Sequence, residues 1–172
     1  GANAVVLNGP VNITATGTAT VVQATRIVDA TNTGTNSFSI SDTAAAIFGA
    51  NAAVLNGALN LTATGTATVA EATTLVNATN TGNNTYNLSD TAANLRVAPA
   101  VVGNGAGTIV ATTAATVVEA SAIEAFTNPG SSTYNIADTA LNLSASSNAV
   151  LTLAGTVTAT TDANFAQAKT IS

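Results

Sequence analysis

In ALNLTAT, residues 58–64, Leu59, Leu61 and Ala63 alternate with Asn60, Thr62 and Thr64. A period of two with β-branched content predicts a strand, and Gly65 is expected to end it. The period changes over residues 66–79, where Val69, Ala72, Leu75 and Val76 fall on one helical face. Thr68 followed three residues later by Glu71 is a capping-box pattern and marks the helix start. NATNTGNN then reads as a turn-rich stop. TYNLS, residues 85–89, predicts a short strand with Tyr86 and Leu88 on one face. Asp90 is expected to N-cap a single helical turn over TAANL. AAVLN, residues 52–56, closed by Gly57, reads as a further short strand.

This pattern recurs every 48 residues without a gap. Residues 3–34 match residues 51–82, and TATGTATV stands identically at 14–21 and 62–69. Thr20/Gln23, Thr116/Glu119 and the looser Asn164/Gln167 repeat the capping signal. The chain of 172 residues divides into repeats at 3–50, 51–98 and 99–146 and a partial fourth at 147–172. Equivalent positions keep similar volumes. Phe38, Tyr86 and Tyr134 form one column, and Ile40, Leu88 and Ile136 a second. Ile13, Leu61, Ile109 and Val157 form a third, and Ile27, Leu75, Ile123 and Ile171 a fourth. A period of this length marks a stacked array in which each repeat is too small to bury a core alone. The expected fold is a single repeat domain, a mainly β solenoid. Parallel strands from equivalent positions stack on one another, and short helices lie between them.

Composition narrows the function. Charged residues make up 6% of the chain, far below the usual quarter, and the net charge is −5. Arg26, Arg96 and Lys169 are the only basic residues, too few to track a phosphate backbone, so no nucleic-acid partner is expected. No apolar run approaches the ~18 residues of a membrane helix, so no membrane insertion is expected. Residues 1–20 lack the basic start and continuous apolar segment of a signal peptide. The chain has no His and no Cys, and no Ser stands beside a base. Glu71, Glu119 and Glu124 are assigned to helix caps and faces, so the reading is of a protein that is not an enzyme. A charge-poor, Thr/Asn-rich, Cys-free chain suits an extracellular or cell-surface location.

The phrases carried by Tyr86, Leu88, Asp90, Thr91, Ala92, Ala93, Asn94 and Leu95, and by Thr68, Ala70, Glu71, Ala72 and Leu75, resemble a known type of repeat. They are similar to the degenerate Y-x-I-x-D-T-A-A-N-I and T-x-A-Q-A repeats of very large secreted bacterial surface proteins. Some of those proteins also carry calcium-binding RTX arrays. The resemblance implies a surface, adhesion, matrix or surface-layer role. The GGxGxD signature of RTX itself is missing, so calcium binding by that motif is not implied.

Two groups of residues are candidates for chemistry. Asp42, Asp90 and Asp138 form a carboxylate column that suits either Ca²⁺ or helix capping, and one acid per repeat favours capping. Thr14, Thr16, Thr18, Thr62, Thr64 and Thr66 suit a flat hydroxyl array facing ice or another crystal, although VATTAAT in the third repeat breaks the alternation. Asn8, Asn56 and Asn104, with Asn12 and Asn60, are expected to form structural amide ladders. Tyr86 and Tyr134 are assigned to the core. The function these features point to is a rigid spacer or self-assembling component of a surface or matrix. Crystal-surface binding and a Ca-dependent adhesin module stand as alternatives. No cofactor other than calcium is suggested. The partner expected is the chain itself, head to tail or laterally, because an uncapped array end is open to pairing.

Overall fold

The computed structural model describes residue 9 and residues 11–171. Among them are eight strands and ten helices. The strands are β1 (Ile13–Ala19), β2 (Asn36–Thr43), β3 (Leu61–Ala67), β4 (Asn84–Asp90), β5 (Ile109–Ala111), β6 (Ser132–Thr133), β7 (Ile136–Asp138) and β8 (Val157–Ala159). The helices are α1 (Val21–Val28), α2 (Ala44–Phe48), α3 (Ala52–Asn56), α4 (Val69–Asn77), α5 (Ala92–Arg96), α6 (Ala100–Gly105), α7 (Val117–Glu124), α8 (Ala140–Ala145), α9 (Asn148–Leu153) and α10 (Phe165–Ile171). Strands β1 to β6 are hydrogen-bonded in chain order, and β7 pairs with β8. The chain forms two compact units, residues 1–86 and 87–172, so the boundary falls within β4.

The architecture overturns the mainly β solenoid. It is mixed α/β, a parallel sheet with alternating helices. Parallel neighbours cannot be joined by a tight hairpin and need a crossover, which helices supply here. The error lies in AAVLN, read as a strand from its apolar run. Residues 52–56 are helix α3, and the equivalent segments in the third and fourth repeats are α6 and α9. Asn51 sets the start: its side-chain oxygen accepts the Ala53 N–H at 2.9 Å. Gly57 is the C-cap, and Val54 and Leu55 are buried. An apolar run this short fits either element, and the cap decides. The first-repeat equivalent, residues 4–8, lies outside the described residues, as does Asn8.

In the first unit, β1 pairs with β2, and β2 with β3, all parallel. Equivalent strands therefore do not stack directly, as expected from the period. A strand of the other kind lies between them. Each 48-residue period builds two rungs, a rung being one strand with its helix. The register of β1 against β2 moves four steps along β1, from Thr14 to Thr18, against two along β2, from Ser37 to Ser39. This bulge accounts for TATGTA. Gly65 does not end its strand but sits inside β3 at φ 76, a left-handed value that suits glycine. The core of this unit includes Phe38, Ile40, Ile47, Leu61, Leu75 and Tyr86.

In the second unit, the end of β4 pairs with β5, and β5 with β6, again in parallel. Leu88, Leu95, Ile109, Ile123, Ile136 and Leu143 are fully buried or nearly so. The volume-matched columns thus face inward wherever a rung is covered on both sides.

The capping boxes form as the spacing predicts. Thr20/Gln23, Thr68/Glu71 and Thr116/Glu119 each show both reciprocal bonds. Asn164 and Gln167 also exchange bonds, at 3.0 and 2.9 Å. Asp90 is not the N-cap of the following turn. That role belongs to Thr91, as it does to Thr43 and Thr139.

Candidate functional site

Asp42, Asp90 and Asp138 stand at strand ends, and their oxygens are committed to local donors. In the first unit, Asp42 Oδ1 accepts the Thr43 N–H at 2.8 Å and Oδ2 accepts the Val21 N–H at 2.9 Å. In the second, Asp138 Oδ2 accepts the Val117 N–H at 2.9 Å, while Oδ1 takes Thr139 N–H and Asn142 Nδ2 at 2.7 and 2.8 Å. Asp90 Oδ1 accepts from Thr91 N and Asn94 Nδ2, both at 2.8 Å. Burial pushes the Asp138 carboxyl up, but the bonds from Val117, Asn142 and Thr139 outweigh it and hold the group below its ordinary value.

Val21 and Val117 are the first residues of α1 and α7, and their N–H groups have no partner inside the helix. Each is satisfied by an aspartate 21 residues later, on the next rung. A carboxylate at that place also meets the positive end of the helix dipole. The rule extends to short helices. Ala92, first in α5, donates to Thr113 Oγ1 at 3.1 Å, and Ala140, first in α8, to Thr161 Oγ1 at 3.0 Å. Both again span 21 residues. Thr113 and Thr161 occupy the place of Gly17 and Gly65 in the earlier repeats. These rung-to-rung caps were missed from the sequence, which shows the 48-residue period and hides the half-step.

The asparagines also link rungs. Asn12 Oδ1 accepts the Thr35 N–H, Asn56 Oδ1 the Thr79 N–H, Asn60 Oδ1 the Asn83 N–H and Asn104 Oδ1 the Thr127 N–H, at 2.8 to 2.9 Å. They bond backbone 23 residues on rather than stacking amide on amide.

The candidate threonines lie on the outer side of the sheet. Thr14, Thr16, Thr18, Thr64 and Thr66 are exposed, and Thr62 is half-buried. They do not form one flat grid. Thr14 lies beside Ser37 in the regular ladder, and Thr62 beside Ser41. Thr16 stands in the bulge between the paired stretches of β1. Thr62 and Thr85 share a hydroxyl–hydroxyl bond of 3.1 Å. Tyr86 and Tyr134 are buried at 5% and 3% exposure, as expected of core residues. The Tyr134 hydroxyl donates to the Val150 carbonyl at 3.0 Å. Burial raises both phenols, and at Tyr134 the Glu124 carboxylate adds to it through charge and a hydrogen bond.

Among the described residues, no three acidic side chains gather as a metal cluster, and no helix is long and apolar enough to cross a membrane. No family model, curated protein or solved structure matches the chain.

Proposed function

We propose that this chain is a structural segment of an extracellular repeat protein, a rigid spacer or self-assembling part of a surface or matrix. The observation that carries the reading is the recurrent cap across 21 residues, at Val21–Asp42, Ala92–Thr113, Val117–Asp138 and Ala140–Thr161. It commits the polar side chains to joining one rung to the next. Rungs joined by identical bonds add length without adding a new core, and stability rises with each interface. The test is a chain with one extra copy of residues 51–98 inserted after Leu95–Ala98. X-ray scattering should show the maximum dimension growing by a fixed increment per added repeat, with a higher melting temperature. An inserted copy that melts separately, or leaves the dimension unchanged, removes the spacer reading.

A second reading has its own observation. Thr14 beside Ser37, Thr62 beside Ser41 and the Thr62–Thr85 bond put a hydroxyl surface on parallel strands. Such a surface suits ordered water or a crystalline lattice. Thermal hysteresis that Thr14→Lys and Thr64→Lys abolish supports it; a chain that never depresses the freezing point rejects it.

A further inference from the structure

The last rung differs from its equivalents in what lies over it. In rung after rung, the helix and strand of the first half-repeat are closed by the strand of the second half. The α1 rung receives β2: Ile13 N–H donates to Thr35 O at 3.1 Å, and Val21 N–H to Asp42. The α7 rung receives the segment from Ser131 to Asp138. Ile109 N–H donates to Ser131 O at 3.1 Å, Ala115 N–H to Asn135 O at 2.7 Å, and Val117 N–H to Asp138. Beneath these covers, Ala115, Ala120 and Ile123 are fully buried. The matching residues of the fourth repeat are Ala163, Ala168 and Ile171. The two alanines are exposed, and Ile171 is half-buried. Phe165, in the place of Val21 and Val117, is 87% exposed. A groove of about 460 Å³ opens there, lined by Asn148, Leu151, Thr152, Val157, Thr170 and Ile171.

Resting on the scaffold reading, we infer that this groove is a docking site for a second-half-repeat segment, supplied in trans by another repeat chain. The repeats themselves specify the occupant. It enters as a parallel strand on the free edge of β8, an addition of the kind that exposed sheet edges accept. Its aromatic residue and following Ile or Leu fill the columns of Tyr134 and Ile136. Its Asp stands where Asp42 and Asp138 stand, and accepts the Phe165 N–H. The low charge of the segment suits the groove, whose one basic residue, Lys169, adds attraction to that carboxylate.

The test uses the full chain and a fluorescein-labelled peptide of residues 80–98, NTGNNTYNLSDTAANLRVA. Anisotropy should show saturable one-to-one binding, and Asp90→Asn in the peptide should weaken it on the order of tenfold, the worth of one charge-assisted hydrogen bond. Tyr86→Ser in the peptide should abolish it. A chain extended past Ser172 by its own copy of residues 76–98 should no longer bind the peptide and should melt at a higher temperature. No binding at millimolar peptide, or binding that the extension leaves unchanged, overturns the docking site. A raised melting temperature of the extended chain would still uphold the scaffold in that case; an unchanged one would remove both. A doubling in mass of the unextended chain by light scattering, abolished by the extension, would assign the groove to a second copy and overturn the half-repeat segment.

Discussion

The Asp138 carboxylate accepts the N–H of Val117, the first residue of α7, from 21 residues further along the chain at 2.9 Å. One side chain thereby ends its own strand, positions the next turn through Thr139 and Asn142, and caps a helix on the preceding rung. Stacking and capping are the same interaction here.

Asp138→Asn should therefore destabilise the second unit by about 1–3 kcal/mol at pH 7, the cost of turning an acceptor toward buried donors. The pH dependence has a definite sign. The folded carboxyl titrates below its unfolded value, so its contribution is complete above the ordinary carboxylate range near ~3.9 and is lost as pH falls through the depressed folded value. Melting curves of the two proteins should differ most at neutral pH and converge below ~pH 3. A gap that stays constant into acid would show that the charge of Asp138 contributes nothing.

Close approach between rungs makes Gly82 the most intolerant of the turn glycines. A Cβ there would strike the Leu59 carbonyl oxygen and Asn60 Oδ1 of the preceding rung. Gly82→Ala should cost more than ~1–3 kcal/mol, since backbone must move to admit it. At Gly17 the same methyl would meet nothing within 4 Å. Gly17→Ala should be neutral or gain about 0.4–1 kcal/mol by restricting the unfolded chain. Urea unfolding of both variants separates the cases; equal losses would contradict the packing.

Local features were legible in the sequence and half-period features were not. A capping box needs only Thr68 and Glu71 three residues apart, so its signal survives without tertiary knowledge. The inward column of Phe38, Tyr86 and Tyr134 was legible because burial imposes similar volume at each repeat. AAVLN was not, since five residues of Ala, Val, Leu and Asn suit a strand as well as a turn of helix until the Asn51 cap is seen. The Asp138–Val117 bond was hidden for another reason. The two residues belong to different halves of the repeat, so the 48-residue alignment never sets them side by side. For the same reason the carboxylate column read as a cap on its own turn, while half of its hydrogen bonding goes to another helix.

Thr116→Ala removes the acceptor for the Glu119 N–H and one partner of the Glu119 carboxylate, at 3.3 and 2.9 Å. The expected loss is about 0.5–2 kcal/mol, as for other N-caps. Thr116→Ser should restore most of it. Thermal denaturation followed by circular dichroism decides between them, and a serine variant as unstable as alanine would point to the threonine methyl instead of the hydroxyl.

Thr113 provides the sharpest test of the cap between rungs, because the array contains its own comparison. Its hydroxyl accepts the Ala92 N–H, whereas the residue 21 after Ala44 is Gly65, which has no side chain to offer. Thr113→Ala should cost about 0.5–2 kcal/mol, because the first N–H of α5 loses its acceptor. Thr113→Asp should recover the loss and exceed it at neutral pH, since a carboxylate at a helix start adds about 0.3–1 kcal/mol of dipole interaction. That gain must disappear below ~pH 3, where the new acid is protonated. Hydrogen exchange at the Ala92 amide reads the same event locally, with faster exchange in the alanine variant and slower in the aspartate. If Ala92 exchanges alike in all three proteins, the bond across 21 residues is not what holds these rungs together.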